Sequence, residues 1–219
     1  MSEQTKRRIV IPGELLGEGK SFEGTFVEDG KVYSKYLGIL KQRPGGFGVI
    51  PLAGVYIPKI GDKVIGVVQD IQVSGWVVDI NSPWQAFMPL AEAVNEFVDI
   101  FKTDLSRYYD IGDIIYGRIQ NVTKSMIIQI SMKAPGCKKL RGGVLIKITP
   151  SKVPRLIGKG GSMVNLIKEK TNTTIIIGQN GLVWVKGERV GKAIEAIITV
   201  DRESHIIGLT EKISKMLGD

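Results

Sequence analysis

The sequence predicts a mixed β and α+β protein with three domains, at residues 1–60, 61–136 and 137–219. The first region consists of short strand-like runs separated by glycines. The second has five strand-like runs with a helical stretch after the third, and the last has helical runs on both sides of a glycine loop. With 219 residues and 43% hydrophobic content, the chain is long enough for one to three compact domains.

Residues 1–60 are expected to form a small β domain. Its strand-like runs are residues 9–11, 24–28, 31–36 and 49–52. Asp29 and Gly30 stand between two of these runs, where a two-residue hairpin turn is expected. Because glycine-rich strands leave edges that need a partner, this domain is expected to bind protein.

The stretch from Gly13 to Ser21 resembles the phosphate-binding Walker loop but departs from it in two ways. Gly13 and Gly19 are one residue too far apart. Residues 22–26 continue with a strand pattern, whereas the motif requires a helix at that point. Nucleotide hydrolysis is therefore not expected here.

Residues 61–136 are expected to form a barrel of five strands. The strand-like runs are residues 64–70, 76–80, 86–88, 113–122 and 126–132. Apolar residues recur at helical spacing between the third and fourth runs, which predicts a helix there. These residues are Leu90, Val94, Phe97, Phe101 and Leu105. Five strands with a helix in that place is the order of the OB-fold.

The opening strands of this barrel resemble the S1 family of OB-type RNA-binding domains. Residues 61–68 and 74–80 carry the match. Strand alternation turns Trp76 towards the core and leaves Val77 facing outwards, where that family often has an aromatic residue. Trp84, in the loop after the second strand, either stacks on an RNA base or packs against the barrel.

The positive charge lies towards the C-terminus and indicates a polyanionic partner. Nine basic residues stand against six acidic ones in residues 1–60, six against nine in 61–136, and fifteen against seven in 137–219. No Asp or Glu occurs between Ile114 and Lys168. A solvated basic face would show the same excess, so charge alone leaves both interpretations open.

Residues 137–219 are expected to form a compact domain in the order strand, helix, helix, strand, strand, helix. The strands are predicted at residues 144–148, 174–177 and 182–186, and the last helix at 191–199. The loop between the first two helices exposes backbone N–H groups at a helix N-terminus, where phosphate is favoured. This order and loop resemble the KH domain, whose loop clamps a nucleic-acid backbone.

The glycine loop is the expected centre of RNA binding, together with nearby basic residues and two barrel residues. The predicted RNA-binding residues are Gly158, Lys159, Gly160, Gly161, Lys152, Arg155, Lys147, Trp84 and Lys124. Each neutralised phosphate would release counterions and make binding depend on salt.

A second Gly-x-x-Gly pattern, formed by Gly178, Asn180 and Gly181, lies between two strands, so its plain interpretation is a hairpin turn. This signature, residues 11–14 and the domain order resemble the RNA-binding cap subunits of the archaeal-type exosome, the ribosomal RNA processing protein four family. The resemblance implies that the signature joins barrel to KH domain rather than touching RNA.

The resemblance also implies a non-catalytic protein without a cofactor. Such a subunit captures single-stranded RNA and guides it into a hexameric ring of ribonuclease PH-like subunits, for 3′–5′ degradation or processing. Three copies would sit on each ring, with the N-terminal domain gripping it and the barrel facing the entry pore.

Two other classes of protein are alternatives to this one. A NusA-like transcription factor would need a second KH unit, and the residues after Thr199 are too few for one; another stand-alone S1 and KH RNA-binding protein is the related alternative. A metal-dependent nuclease would need gathered carboxylates, which the spacing near the glycine loop does not offer. Cys137 and His205 are each the sole residue of their type, so a Cys/His zinc cluster is excluded.

The chain is expected to be cytoplasmic and not bound to a membrane. No apolar run approaches the length of a bilayer span, and residues 1–8 lead into a strand-like run with no signal-peptide core.

Overall fold

The computed structural model describes residues 8–96, 103–204, 206 and 208–218, in two compact units that divide between Gly54 and Val55. The first unit contains β1 (Ile9–Val10), β2 (Leu15–Glu18), β3 (Lys20–Ser21), β4 (Thr25–Glu28), β5 (Lys31–Ser34), β6 (Gly38–Arg43) and β7 (Gly46–Pro51). The strands of the second unit are β8 (Lys63–Gln72), β9 (Gly75–Asp79), β10 (Ala86–Pro89), β11 (Ile114–Val122), β12 (Ile128–Ser131), β13 (Lys138–Leu140), β14 (Val144–Lys147), β15 (Thr173–Ile177) and β16 (Leu182–Gly187). Its helices are α1 (Leu90–Ala93), α2 (Val153–Ile157), α3 (Ser162–Thr171), α4 (Val190–Arg202) and α5 (Leu209–Gly218).

The first unit consists of two small sheets with one apolar core between them. The strand orders are β1-β6-β7-β3 and β2-β5-β4. Both sheets contribute to the core, which contains Val10, Leu16, Val32 and Val49. The predicted hairpin turn is present between β4 and β5, where Asp29 and Gly30 have φ angles of 48° and 75°.

The Walker-like stretch is part of these sheets. It contains β2 and β3, and residues 22–24 lead on into β4. Gly46 lies so close to β3 that a Cβ atom there would stand 2.0 Å from the carbonyl oxygen of Lys20. The stretch is therefore held by strand pairing, and strand β4 follows it where a Walker loop would require a helix, as the strand pattern predicted.

The barrel closes in the order β8-β9-β10-β12-β11 and back to β8. All of these pairs are antiparallel except β10 with β12. Trp76 is fully buried in the core, and its Nε1 donates a hydrogen bond of 2.8 Å to the carbonyl oxygen of Tyr109. The predicted OB-type barrel and the inward direction of Trp76 are confirmed.

The second unit begins before residue 61, because Tyr56 packs into the barrel core. Its hydroxyl donates a hydrogen bond of 2.6 Å to Oδ2 of Asp62. Burial, together with this bond, raises the pKa of Tyr56 far above its usual range. Residues 55–60 therefore belong to the barrel unit rather than to the N-terminal unit.

The long helix predicted between the third and fourth barrel strands is wrong in extent. Helix α1 ends at Ala93, and Val94 after it is extended, with φ −127° and ψ 156°. Leu105 lies in a separate 3-10 turn and packs with Val94 against the barrel core. The predicted stripe residues Phe97 and Phe101 lie outside the described residues.

The segment between barrel and KH domain, which the sequence marks only as a glycine-flanked junction, forms strand β13. It pairs antiparallel with β11, so that Tyr116 stands opposite Lys138 and Ile114 opposite Leu140. The junction is therefore a sixth strand of the barrel sheet.

The last part of the chain has the predicted KH order, followed by one further helix, α5, which the sequence analysis missed. The sheet order is β14-β16-β15, and all pairs are antiparallel. Helices α3 and α4 pack on one face of this sheet, and α2 and α5 pack against these two helices. Ile167, Ile175, Val183 and Ile197 lie in the core that the helices and the sheet share. Within the described ranges, no helix is both long and apolar enough to cross a membrane.

The other face of the KH sheet packs against the barrel. Leu182 and Trp184 of β16 form a buried cluster there with Ile65 and Leu140 of the barrel sheet. Strand β16 is thus covered on both faces, which explains its uninterrupted run of buried residues from Leu182 to Val185.

Candidate nucleic-acid interface

The glycine loop lies between α2 and α3, as predicted. Helix α2 ends at Ile157, and Gly158 leaves the helix with φ 76° and ψ 175°. A Cβ atom on Gly158 would lie 2.7 Å from the backbone nitrogen of Met163. Glycine is therefore required at this position for two reasons, its backbone conformation and the close approach of α3.

The second half of the loop is open to solvent. Gly160 and Gly161 have left-handed φ angles of 61° and 84°, and a Cβ atom on Gly160 would meet no atom within 4 Å. Lys159 is exposed beside them. No side chain caps the N-terminus of α3, and its first turn has no acidic residue. This arrangement leaves N–H groups and a positive helix end available to a phosphate.

Lys152 and Arg155 lie at the start of α2, but both side chains have partners in the fold. Nζ of Lys152 donates a hydrogen bond of 2.8 Å to the carbonyl oxygen of Asp201 and lies 3.9 Å from its Oδ1. Nη2 of Arg155 donates a bond of 3.3 Å to the carbonyl oxygen of Ile206. These two cations therefore hold the segment at the end of α4 and add positive potential next to the loop.

Lys147, Trp84 and Lys124 occupy other places. Lys147 is exposed at the end of β14. Trp84 precedes β10 and Lys124 precedes β12; these strands run parallel, with Ala86 opposite Ile128. The register therefore brings Trp84 and Lys124 to the same end of the barrel, where both are exposed.

The second glycine turn is buried between barrel and KH domain. Asn180 is fully buried, and its side-chain amide bonds only to backbone of the barrel. Nδ2 donates to the carbonyl oxygens of Ile65 at 2.6 Å and Ile80 at 2.7 Å, and Oδ1 accepts from the Ile65 N–H at 3.3 Å. A Cβ atom on Gly178 would lie 2.2 Å from Oδ1 of Asn180. The side-chain amide of Asn180 thus bonds to barrel backbone just beyond the point where β8 and β9 stop pairing.

Sequence reasoning missed the barrel-side partners of this turn. Asn81 donates a bond of 2.8 Å from Nδ2 to the carbonyl oxygen of Asn180, and the Gln179 N–H donates one of 2.9 Å to the Lys63 carbonyl oxygen. One signal was present, because Val64 and Ile65 are successive apolar residues in a strand that should alternate. Both are buried, Val64 inside the barrel and Ile65 against the KH sheet.

Metal chemistry has no support at this interface. In the part of the chain that the structure describes, no three residues among His, Cys, Asp and Glu are grouped closely enough to hold a metal ion. The interface offers backbone N–H groups, ammonium groups and apolar surface, which together suit a phosphate backbone and bases.

Family models match the chain in the order of its domains. Residues 7–53 match the N-terminal domain of the exosome RNA binding protein RRP4, residues 55–98 match the S1 domain of RRP4, and residues 143–191 match a KH domain.

Full-length relatives agree with these matches. Exosome complex component Rrp4 of Thermococcus kodakarensis is 49% identical over 218 residues, which cover 96% of this chain and 85% of that protein. The protein of the same name from Thermoplasma acidophilum is 43% identical, with 96% and 90% covered. A crystal structure described as that of an exosome complex RNA-binding protein is similar with a TM-score of 0.70 and 30% identity, over 75% of this chain and 96% of that one. The chain belongs to the exosome Rrp4 family.

Proposed function

We propose that this protein is a non-catalytic, cytoplasmic RNA-binding cap subunit of the exosome. It captures single-stranded RNA and guides it into a hexameric ring of ribonuclease PH-like subunits, for 3′–5′ degradation or processing. Three copies serve each ring. The relatives named exosome complex components support the assembly, and the glycine loop supports the RNA contact.

The open glycine loop is the observation that carries the proposal. Three glycines with left-handed φ angles, an exposed Lys159 and an uncapped helix meet at one place. The loop lies in a 55-residue stretch, from Ile114 to Lys168, without a carboxylate. Phosphate contacts hold a nucleic acid without reading its sequence, so the loop suits a subunit that accepts many RNAs.

The loop is tested by replacing Lys159 and Gly160 together with Asp. The change places two negative charges where the phosphate should bind, and Asp tolerates the left-handed backbone of residue 160. In the assembled cap and ring, the Lys159→Asp/Gly160→Asp variant should bind single-stranded RNA more weakly. The slope of log affinity against log salt should fall by about 0.7 for each lost phosphate contact.

The matched control is Lys170→Asp/Asn172→Asp, at exposed positions at the other end of α3. Asn172 also has a left-handed backbone, with φ 50°. Unchanged RNA affinity and slope in a folded, assembled loop variant would move the RNA site to the barrel end with Trp84 and Lys124.

Docking to the ring is assigned to the first unit. Ile9, Ile39 and Ile50 stand directly opposite one another across β1, β6 and β7, so they share one face of the sheet. The other face forms the core through Val10 and Val49. Ile9 is 60% exposed and Ile50 46% exposed, which leaves an apolar stripe for a protein partner.

Replacing Ile9 and Ile50 by Ser should abolish co-elution with the ring while leaving the core and the RNA-binding unit folded. Val73→Ser, which removes an even more exposed apolar residue from the turn between β8 and β9, is the control. Undiminished ring binding by the Ile9→Ser/Ile50→Ser variant would refute this docking surface.

The absence of catalysis is tested separately. The purified chain alone should leave labelled RNA intact with or without divalent metal.

A further inference from the structure

A cleft lies where the chain leaves the barrel and enters the KH domain. Its volume is about 420 Å³, within the range of small-molecule sites. Residues 112–114, at the start of β11, form one wall, and residues 139–143, from β13 to the glycine pair after it, form the other. Of the described residues that line it, none belongs to the glycine loop or to the barrel end with Trp84. The cleft is therefore separate from both surfaces assigned to RNA above.

The two glycines between β13 and β14 have a backbone fixed by the KH sheet. Gly142 and Gly143 have left-handed φ angles of 70° and 76°. Nε1 of Trp184 donates a hydrogen bond of 2.7 Å to the carbonyl oxygen of Gly142. Nζ of Lys186 donates one of 3.0 Å to the carbonyl oxygen of Arg141. Because the N–H of a trans peptide points away from its carbonyl oxygen, the N–H groups of both glycines point away from these two donors.

The N–H groups of Gly142 and Gly143 are available to a ligand. Both glycines line the cleft, whereas Trp184 and Lys186 on the opposite side of the turn do not. In the part of the chain that the structure describes, neither N–H donates to a backbone oxygen. Successive N–H groups in a turn form a concave site for an anion. The turn therefore has the donors of an anion site and no acceptor of its own.

The side chains of the cleft leave it with a net positive charge. Asp113 is the one carboxylate among the lining residues. Its Oδ2 forms an ion pair with Nζ of Lys139 and accepts the Asp110 N–H at 2.6 Å, so it is neutralised within the fold. Arg141 is exposed and, among the described residues, belongs to no ion pair. Arg141 therefore supplies an uncompensated cation next to the two glycine N–H groups.

These donors suit a phosphate group. A guanidinium group offers two parallel N–H donors that match two phosphate oxygens, and backbone N–H groups can bind the remaining one. The cleft also has an apolar side, since Ile114 and Leu140 belong to the cluster between barrel and KH domain. Apolar surroundings lower the local dielectric and strengthen each bond to a charged ligand.

We infer that this cleft binds a phosphate group at the point where the barrel joins the KH domain. The N–H groups of Gly142 and Gly143 bind phosphate oxygens, and the guanidinium of Arg141 neutralises the charge. The phosphate comes from an RNA backbone, from a free nucleotide or from the phosphate ion, and the recognising groups are the same in each case. The inference does not depend on RNA binding by the glycine loop.

The test is a titration of the isotope-labelled full chain with inorganic phosphate, observed by NMR at the amide resonances of Gly142 and Gly143. Both resonances should shift along a saturable curve, because their N–H groups bind the ligand directly. Sodium chloride at the same ionic strength should leave them in place. Equal shifts in chloride, or no saturable shift in phosphate, would overturn the inference.

Arg141→Gln removes the charge and keeps a polar side chain. Loss of a hydrogen bond to a charged group should weaken phosphate binding by about 10- to 100-fold. The matched control is Arg202→Gln, which makes the same change at an exposed position at the end of α4, outside the cleft. It should bind phosphate as the unaltered chain does. Equal phosphate affinity of the two variants would overturn the inference.

Two further titrations identify the source of the phosphate. An oligoribonucleotide without terminal phosphates should shift the two glycine resonances if the cleft holds an RNA backbone. Adenosine monophosphate should shift them if it holds a free nucleotide, and a response to inorganic phosphate alone would assign the phosphate ion. Each of these three results supports a phosphate site in the cleft.

The Lys159→Asp/Gly160→Asp variant separates this inference from the proposed function. Because loop and cleft share no residue, the variant should retain the phosphate-dependent shifts of Gly142 and Gly143. Shifts that persist while RNA affinity is unchanged by the loop variant would overturn the loop site and support the cleft. Absence of the shifts in the unaltered chain, with RNA binding weakened by the loop variant, would overturn the cleft alone.

Discussion

The two Gly-x-x-Gly turns of this chain have the same pattern and opposite surroundings. In residues 158–161 the third position is Gly160, around which a side chain would meet open space. In residues 178–181 the third position is Asn180, whose side chain is fully buried and bonded to barrel backbone. One turn leaves its polar groups available, whereas the other uses them within the fold.

This difference shows that the environment of a glycine pattern decides its role. A turn before a helix N-terminus exposes N–H groups that the helix itself cannot satisfy. A turn between two antiparallel strands has its ends paired, as the Gly178 N–H donating to the Leu182 carbonyl oxygen shows. Its side chains can then form hydrogen bonds with a neighbouring domain, as the side chain of Asn180 does with the barrel.

The largest expected effect is that of Asn180→Asp. Two carbonyl oxygens would lose their donor and face a buried carboxylate, at a cost of about 1–3 kcal/mol for each unsatisfied group. We expect the second unit to lose about 3 kcal/mol or more of unfolding free energy, measured by denaturant titration. The deficit should be smaller in mildly acidic buffer, because a protonated carboxyl can donate to one carbonyl.

Gln179→Glu is the matched control, since it makes the same chemical change at the exposed neighbouring position. It should shift the unfolding free energy by no more than about 0.5 kcal/mol. Equal stability of the two variants would show that the Asn180 amide is not the link between barrel and KH domain.

A methyl group added to the buried turn should cost more than a whole side chain added to the open one. Gly178→Ala places a Cβ atom 2.2 Å from Asn180 Oδ1 and 2.7 Å from the Ile65 nitrogen, and overpacking of this kind costs about 1–3 kcal/mol. Gly160→Asn has open space and a residue type that accepts a left-handed backbone, so less than about 1 kcal/mol is expected. Thermal unfolding of both variants tests the order, and the reverse order would contradict the comparison.

The third prediction separates two lysines near the open turn. Lys159→Ala should reduce the salt slope of RNA binding by about 0.7 and leave stability unchanged, because its ammonium group is exposed. Lys152→Ala should lower stability by about 0.5–1 kcal/mol, because it removes the bond to Asp201 at the end of α4, with little change in slope. Equal slope changes would show that Lys152 leaves Asp201 to bind phosphate.

Sequence reasoning was strongest where the signal is local. The five barrel strands along the chain, the inward Trp76 and the loop before α3 follow from alternation, helical spacing and glycine placement, and the structure contains all three. Strand β13 was missed because three residues between Pro135-Gly136 and Gly142-Gly143 are too few to show a period. The predicted helix extended too far because Val94 and Leu105 are buried by the barrel from separate segments.

The candidate site divides in the same way. The loop could be predicted because its glycines and Lys159 are adjacent in the chain. The bond from Asn81 to Asn180 could not, because only the packing of the KH domain on the barrel brings these residues, 99 positions apart in the chain, together. The apolar residues on both faces of β16 were the available hint that a second domain covers it.

The position of Asn180 in the chain also determines when its bonds to the barrel can form during synthesis. It is 115 residues downstream of Ile65, whose N–H and carbonyl it bonds. At about 5–20 residues per second, roughly 6 to 23 seconds of translation separate the two. Throughout that interval the emerging barrel has an unfinished end whose backbone groups must be satisfied by water or by another molecule. The pace at which the ribosome makes residues 66–180 therefore governs how long these backbone groups of each new copy stay without their partner.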